Sequence, residues 1–450
     1  MMQKEVPTYR KKGLFGRMKA LFRNPLDFSA EVRQELGDFA RVDLGFRTIY
    51  LVSNPAAIKH ILQTNNKNYG KSPAYEQLKL ALGNGLVTSE GDFWRKQRRL
   101  AQPSFHKKRL EELFAGMVEE TSNYLDTLEG LKDQKSPTDI CEEMTKITAT
   151  IVLRTLFSAD NKADLKLLYE TINEAQEYVL YRTNYPFLIP FCYLNGMHRK
   201  FKKQLKVFDD IIYEIIRQRK RSTEQPADLL SMLLRARDEE TGEGMSDQQL
   251  RDEVITLFVA GHETSANALS WAWYALAKNP AVKKKLRAEI AEVLGDRMPS
   301  FADLKALPYT KQVMEETMRL YPPAWAVGRE SLAADEINGF PIQKKEIFLL
   351  NIHALHRHPD FWEDPERFDP ERFSVENVKT MSRQSYLPFG SGPRMCIGNH
   401  FAMMEMQLLL ATLVRKFDFT LSDGHTVTGL PLIVYKPKGG IPVQITGVQS

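Results

Sequence analysis

Residues Phe389 to Gly398 read FGSGPRMCIG. Each residue type in this stretch has a physical use. Gly390, Gly392 and Gly398 allow sharp backbone turns and bring N–H groups close to one side chain. That side chain is Cys396, whose sulfur needs donors and a confined loop to persist as an anion. Arg394 adds a fixed cation beside it. Phe389 can shield the sulfur from water. The run from Ile397 is apolar and Met-rich (Phe401, Met403, Met404, Met406), as a helix beneath a flat macrocycle would be. At average residue frequencies FGxGxRxCxG arises by chance about once in 10⁸ start positions. That sets aside a merely structural thiol, the ordinary fate of a cysteine. Cys396 reads as the proximal thiolate ligand of a haem iron, and Arg394 as suited to a haem propionate.

The rest of the chain is compatible with this reading. Its 450 residues, 43% hydrophobic, are ample for a large core. The net charge of +5 is too small to imply nucleic acid, though it leaves room for a local basic face. Of three cysteines, Cys141 and Cys192 lack special flanks and read as structural, and no spacing suggests zinc. So low and odd a count fits a reducing compartment. The N-terminal MMQKEVPTYRKKG has no apolar core of a signal peptide, and no stretch approaches the ~18–20 apolar residues of a membrane span. The expectation is a soluble, cytoplasmic protein without a transmembrane segment.

Helical periodicity dominates. Glu111–Thr127, Cys141–Phe157, Leu165–Arg182, Phe201–Arg221 and Lys283–Val293 carry apolar residues at three- and four-residue spacing. The longest helix starts after Ser246, which with Gln249 matches a capping box, and runs to Asn279-Pro280. Strands are expected in Phe39–Val52, with a turn near Gly45, and in Glu336–Ile352, with an Asn338-Gly339 turn. Ser222–Asp228 and Asp238–Ser246 read as surface loops. The fold class is mostly α (α+β), with one intertwined domain over 1–450.

FGSGPRMCIG resembles the cysteine-loop signature of the cytochrome P-450 family. Three further stretches match that family's pattern in order. Trp94 and Arg98, four apart in WRKQRR, share a helical face, and both can donate to a propionate. Ala260-Gly261-His262-Glu263-Thr264 matches the family's oxygen-activating motif. There Gly261 would leave room for a diatomic ligand, Thr264 can back-bond and loosen the helix, and Glu263 with Thr264 forms an acid–alcohol pair. His262 reads as a packing residue. Glu316 and Arg319 share a face and can pair. The resemblance adds an arginine from a Pro-Glu-Arg-Phe segment. That segment occurs at both Pro365–Phe368 and Pro370–Phe373, and Arg372, nearer the cysteine loop, is preferred for the structural triad. By the same resemblance Arg329 is a further propionate ligand. Arg95, Lys96 and Arg99 are either a solvated basic face or a docking patch for an acidic electron donor.

The resemblance implies a triangular helical domain with a small β-sheet region and haem b (iron protoporphyrin IX) as cofactor. It implies insertion of one atom of O₂ into a C–H bond, with Glu263 and Thr264 relaying protons. No flavin, dinucleotide or iron–sulfur fingerprint is present, so electrons are expected from a separate ferredoxin or flavodoxin-type donor with its reductase. A peroxide-using haem-thiolate enzyme and a non-catalytic haem sensor are the rival readings. The first typically lacks the acid–alcohol pair, and the second needs an output domain. The apolar, Pro-interrupted Tyr178–Met197 is either an access lid, open to loose membrane contact, or an ordinary loop. The look of AGHETSA and the PERF region resembles the fatty-acid hydroxylase branch. The expected substrate is lipophilic, a fatty acid or a terpenoid or carotenoid.

Overall fold

The computed structural model describes residues 5–448 except 46, 133, 135, 159–166, 168–170, 172–173, 176, 184, 186–187, 224–225 and 227. The chain forms two compact units, each assembled from separated stretches.

The first unit takes the chain up to Ala74, Glu315–Cys396 and Thr428–Lys438. Its centre is a six-stranded sheet in the order Thr8–Tyr9, Phe39–Asp43, Thr48–Val52, Ile347–Asn351, Ala326–Ser331, Tyr69–Lys71. Phe39–Asp43 and Thr48–Val52 form the expected hairpin, Phe39 opposite Val52, with Gly45 at φ 80° in the turn. Thr48–Val52 then pairs in parallel with Ile347–Asn351. Asn338 and Gly339 both have positive φ (53° and 78°) and join Asp335–Ile337 to Phe340–Ile342, as the Asn-Gly signal predicts. One sheet face is packed by Phe39, Tyr50, Ile61, Phe348 and Leu350, all buried.

The second unit takes Tyr75–Met314, Ile397–Val427 and the chain from Gly439. Helices Gly91–Ala101, Lys107–Leu131, Ile140–Phe157, Met197–Arg221, Asp247–Lys278, Pro280–Leu294 and Asn399–Lys416 build it, with a three-stranded sheet of Phe417–Leu421, Pro442–Gly447 and Thr138–Asp139. The expected helices within the described residues appear, the ends at Phe157 and Arg221 unmoved and the others shifted outward by a few residues. The predicted helix over Leu165–Arg182, the lid Tyr178–Met197 and the loop Ser222–Asp228 all include residues outside the described set.

The long helix, Asp247–Lys278, spans 32 residues. Gln249 N–H donates to Ser246 Oγ at 3.2 Å, and Ser246 N–H donates to Gln249 Oε1 at 2.7 Å, so both halves of the capping box are made. Pro280 disfavours helical geometry at Asn279 and ends it. Leu250, Val254, Phe258, Leu269 and Leu276 are buried, and each such side chain contributes roughly 1.5–3 kcal/mol.

No helix among the described residues is long and apolar enough to cross a membrane.

Candidate active site

The cysteine loop is closed by backbone bonds. Cys396 N–H donates to Phe389 O at 2.9 Å, Gly390 N–H to Leu387 O at 3.0 Å and Met395 N–H to Gly392 O at 3.1 Å. Gly390 and Gly392 sit at φ 72° and 71°, a conformation that side chains resist. A Cβ on Gly392 would also lie 1.9 Å from Leu62 O, so the loop is moulded against the chain below it. Ser391 Oγ accepts from Gln63 Nε2. The result holds Cys396 exposed, with Phe389 and Arg394 half-buried nearby. Two residues past Cys396, Gly398 caps the helix Asn399–Lys416. The positive end of that helix favours a thiolate.

Glu316 and Arg319, in the helix Pro308–Leu320, are both fully buried. They form a bidentate pair, Nε–Oε2 2.6 Å and Nη2–Oε1 2.8 Å. The remaining Arg319 donors reach His356 O, Pro365 O and Arg367 O, and Asp369 N–H donates to Glu316 Oε1 at 2.8 Å. Arg372 Nε stands 3.6 Å from Glu316 Oε1 and is 15% exposed, whereas Arg367 is 68% exposed and faces Asp369. The register ambiguity between the two Pro-Glu-Arg-Phe segments thus resolves geometrically toward Arg372.

Sequence reasoning missed His356. Its carbonyl accepts from Arg319, and its Nε2 accepts from Leu387 N–H at 2.8 Å. Leu387 O in turn receives Gly390 N–H, so His356 joins the buried ion pair to the cysteine loop. Burial, reinforced by Arg319, pushes His356 down to about 3. A neutral ring is what an accepting Nε2 requires. One of three histidines in HALHRHP, His356 carried no signal of this role.

On the long helix Thr264 Oγ1 donates to Ala260 O at 2.8 Å, the expected back-bond. His262 is buried, stacked on Phe258 with centroids 4.6 Å apart, and is a packing residue. Gly261 meets a neighbouring helix on one side. A Cβ there would lie 3.3 Å from Val152 Cγ2, so its bare face lets the helix Ile140–Phe157 approach. Ala260 is the exposed residue of this turn. Flanking residues 251–258 and 265–273 are buried, while Val259, Ala260, Gly261, Glu263 and Thr264 are not.

Next to that opening lies an apolar cavity lined by Ala81, Leu82, Leu205, Phe208, Ile255 and Val259, with Thr171 as a polar neighbour. Its first wall belongs to the helix Ala74–Leu82, and the loop after that helix is stapled to the long helix. Asn84 N–H donates to Asp252 Oδ2 at 2.8 Å and Leu86 N–H to Glu253 Oε2 at 3.1 Å.

Trp94 and Arg98 lie half-buried on the helix Gly91–Ala101. The other cations of that helix have acidic partners. Lys96 pairs with Glu243 at 2.7 Å, Arg99 with Asp238 at 2.9 Å and Glu240 at 3.0 Å, and Arg95 with Asp92 at 2.5 Å. The basic face is therefore largely neutralised by an acidic loop of the same chain. Arg329, in the strand Ala326–Ser331, is buried and donates to Gly328 O at 2.9 Å.

These residues fit a haem. One exposed thiol stands on a rigid glycine loop at a helix start, and no cluster of metal-binding side chains exists among the described residues to rival it. Comparison with known proteins agrees. The family model for cytochrome P-450 matches residues 9–441. Cyclooctat-9-en-7-ol 5-monooxygenase and cyclooctatin synthase of Streptomyces melanosporofaciens are 34% and 36% identical, covering 92% and 93% of this chain and 89% and 90% of theirs. The chloroplastic protein LUTEIN DEFICIENT 5 of Arabidopsis thaliana is 32% identical over 89% of this chain and 72% of its own. The crystal structure of the cytochrome P450DA haem domain superposes with a TM-score of 0.92 at 25% identity, covering 100% of this chain and 98% of that one. These relatives lend no support to the fatty-acid hydroxylase branch suggested by AGHETSA and the PERF region, stretches too short to sort branches within a family. The chain belongs to the cytochrome P-450 family and is a monooxygenase with haem b as its cofactor.

Proposed function

We propose that this monooxygenase hydroxylates a terpenoid or carotenoid, with Cys396 as the iron ligand. The observation that carries the substrate class is the cavity beside Ala260. Its walls at Leu82, Leu205, Phe208, Ile255 and Val259 are aliphatic or aromatic, which suits an apolar part of a lipophilic substrate. The names of the relatives from Streptomyces and Arabidopsis point the same way.

Bound haem supplies the oxygen chemistry, in which one atom of O₂ enters a C–H bond and the other leaves as water. The chain's own residues hold the cofactor and move protons. Cys396 would hold the iron of a bound haem, its thiolate supplying electron density to that chemistry. Trp94, Arg98, Arg329 and Arg394 supply donors suited to the propionates. Glu316, Arg319 and Arg372 hold the fold on the cysteine side. Thr264 offers its hydroxyl, and Glu263 exchanges protons with water at the exposed turn. A separate ferredoxin or flavodoxin-type protein with its reductase delivers the electrons.

The test is a spectral titration with terpenoid alcohols, carotenoids and fatty acids of graded length. A low-to-high-spin shift at low concentration with a terpenoid or carotenoid is expected. A tight shift with fatty acids alone contradicts the reading.

A further inference from the structure

Three walls of the apolar cavity meet at one ion cluster. Leu82 ends the helix Ala74–Leu82, Phe208 lies on Met197–Arg221 and Ile255 lies on the long helix. Arg251 stands one turn before Ile255 and is buried. Its guanidinium is shared between two acids. Nε donates to Asp209 Oδ1 at 2.8 Å and Nη2 donates to the same oxygen, while Nη1 donates to Asp252 Oδ1 at 2.9 Å. Asp209 directly follows the wall residue Phe208. Asp252 reaches the opposite wall, because its Oδ2 accepts from Asn84 N–H at 2.8 Å, two residues past Leu82. A second thread runs beside the first. Tyr213 Oη donates to Gln248 Oε1 at 2.9 Å, and Gln248 Nε2 donates to Asp252 Oδ1 at 2.8 Å.

The backbone is shaped to this joint. Gly83 has φ 68°, and a Cβ there would lie 2.1 Å from Asp252 Oδ1. Such an ion cluster adds little stability over apolar packing of the same volume. What a planar fork adds is direction, since its donors fix where the two acids stand relative to each other. Arg251, Asp209 and Asp252 themselves stay out of the cavity lining.

We propose that Arg251 is a specificity-determining positioning residue, whose fork sets how far apart the walls at Leu82, Phe208 and Ile255 stand and so which hydrocarbon shapes the cavity admits. This rests on the reading of that cavity as part of the substrate site. With the fork in place, Phe208 and Leu82 are tied to the turn before Ile255 from two sides. Without it, Asp252 still holds Asn84 and Gln248, so the loop keeps its seat. Asp209 then loses its tie to the long helix, and Phe208 is free to shift. A displacement of about 1 Å in a wall is enough to change how a bound C–H bond is presented. Arg251 thus acts through Asp209 and Asp252 and touches no substrate.

The experiment titrates the haem-loaded full chain with N-alkylimidazoles of graded chain length and branching, followed by the haem spectrum. The imidazole nitrogen reports binding at the iron, and the alkyl group samples the apolar space. Wild type is expected to discriminate sharply among the alkyl groups. Arg251→Met keeps much of the apolar stem and removes the fork. It is expected to flatten that discrimination several-fold while binding unsubstituted imidazole as wild type does. Arg251→Lys, a cation without the fork, is expected to fall between the two. Gly83→Ala wedges the joint from the loop side and is expected to flatten the profile as well. Arg251→Lys and Gly83→Ala carry the test should Arg251→Met fail to fold. A profile as sharp in the variants as in wild type overturns the proposal alone. A profile already flat in wild type removes the cavity from the substrate site, and the observation behind the proposed substrate class falls with it.

Discussion

Arg319 donates a hydrogen bond from Nη1 to the backbone carbonyl of His356 at 2.9 Å. The ring of the same histidine accepts from Leu387 N–H, at the foot of the cysteine loop. Two removals with different costs follow. Arg319→Ala leaves the buried Glu316 carboxyl without its bidentate partner, held only by Arg372 at 3.6 Å and Asp369 N–H, and should cost about 3–5 kcal/mol. His356→Ala strands one backbone donor and should cost about 1–3 kcal/mol. Both should lose haem faster than wild type on transfer to apomyoglobin. Equal stability of Arg319→Ala and wild type in chemical unfolding would show the network to be dispensable.

Stability should peak near pH 6.5. His262 and His356 are held neutral by burial, at about 4 and about 3, and His353 is lowered well below 6.5 for the same reason. Below the ordinary histidine value the unfolded chain binds three protons that the folded chain refuses, so acid destabilises. Glu405, buried on the helix Asn399–Lys416, has the opposite sign. Between its ordinary 4.5 and its folded value of about 8 the folded chain holds a proton that the unfolded chain lacks. Stability from that group falls as pH rises through this window. With about 1.4 kcal/mol per proton per pH unit, His262, His356 and Glu405 give a net rise of roughly 1.4 kcal/mol per unit from pH 4.5 to 6.5, and His353 adds in the same direction. They then give a decline of roughly 1.4 kcal/mol per unit up to pH 8. Unfolding midpoints across this range check the shape, and Glu405→Gln should flatten the alkaline limb alone.

Two glycines of one loop should differ sharply. Gly390 and Gly392 share the left-handed conformation, but a Cβ on Gly390 meets nothing within 4 Å whereas one on Gly392 meets Leu62 O at 1.9 Å. Gly390→Ala should cost about 1–2 kcal/mol, the strain alone. Gly392→Ala must also displace a backbone carbonyl and should fail to retain haem. Equal haem content in the two variants would contradict the moulded loop.

The acidic loop beside Trp94 should restrain an acidic electron donor. Glu240 and Glu243 are exposed partners of Arg99 and Lys96. Neutralising both, as Glu240→Gln with Glu243→Gln, uncovers positive charge and should lower the KM for an acidic ferredoxin at low salt, with the gain lost at high salt. An unchanged KM would place donor docking elsewhere on the surface.

Much of this was legible in the sequence because local chemistry decided it. The capping box at Ser246, the turn at Asn338-Gly339 and the stop at Pro280 each depend on residues a few positions apart. The pairing of Thr48–Val52 with Ile347–Asn351 does not, since nothing in either strand names a partner about three hundred residues away. The candidate site divides the same way. Glu316 and Arg319 sit one turn apart on one helix and announce themselves, while His356 acts through residues far off in sequence. The approach of Val152 to Gly261 was not legible, because a glycine freed for a ligand and one freed for a neighbouring helix look alike in sequence.

The most direct test of the central claim is the spectrum of the reduced protein with carbon monoxide. Thiolate ligation by Cys396 predicts the strongly red-shifted Soret band in wild type and its loss in Cys396→Ser. A histidine-type Soret band in wild type, or survival of the shifted band in Cys396→Ser, would contradict it.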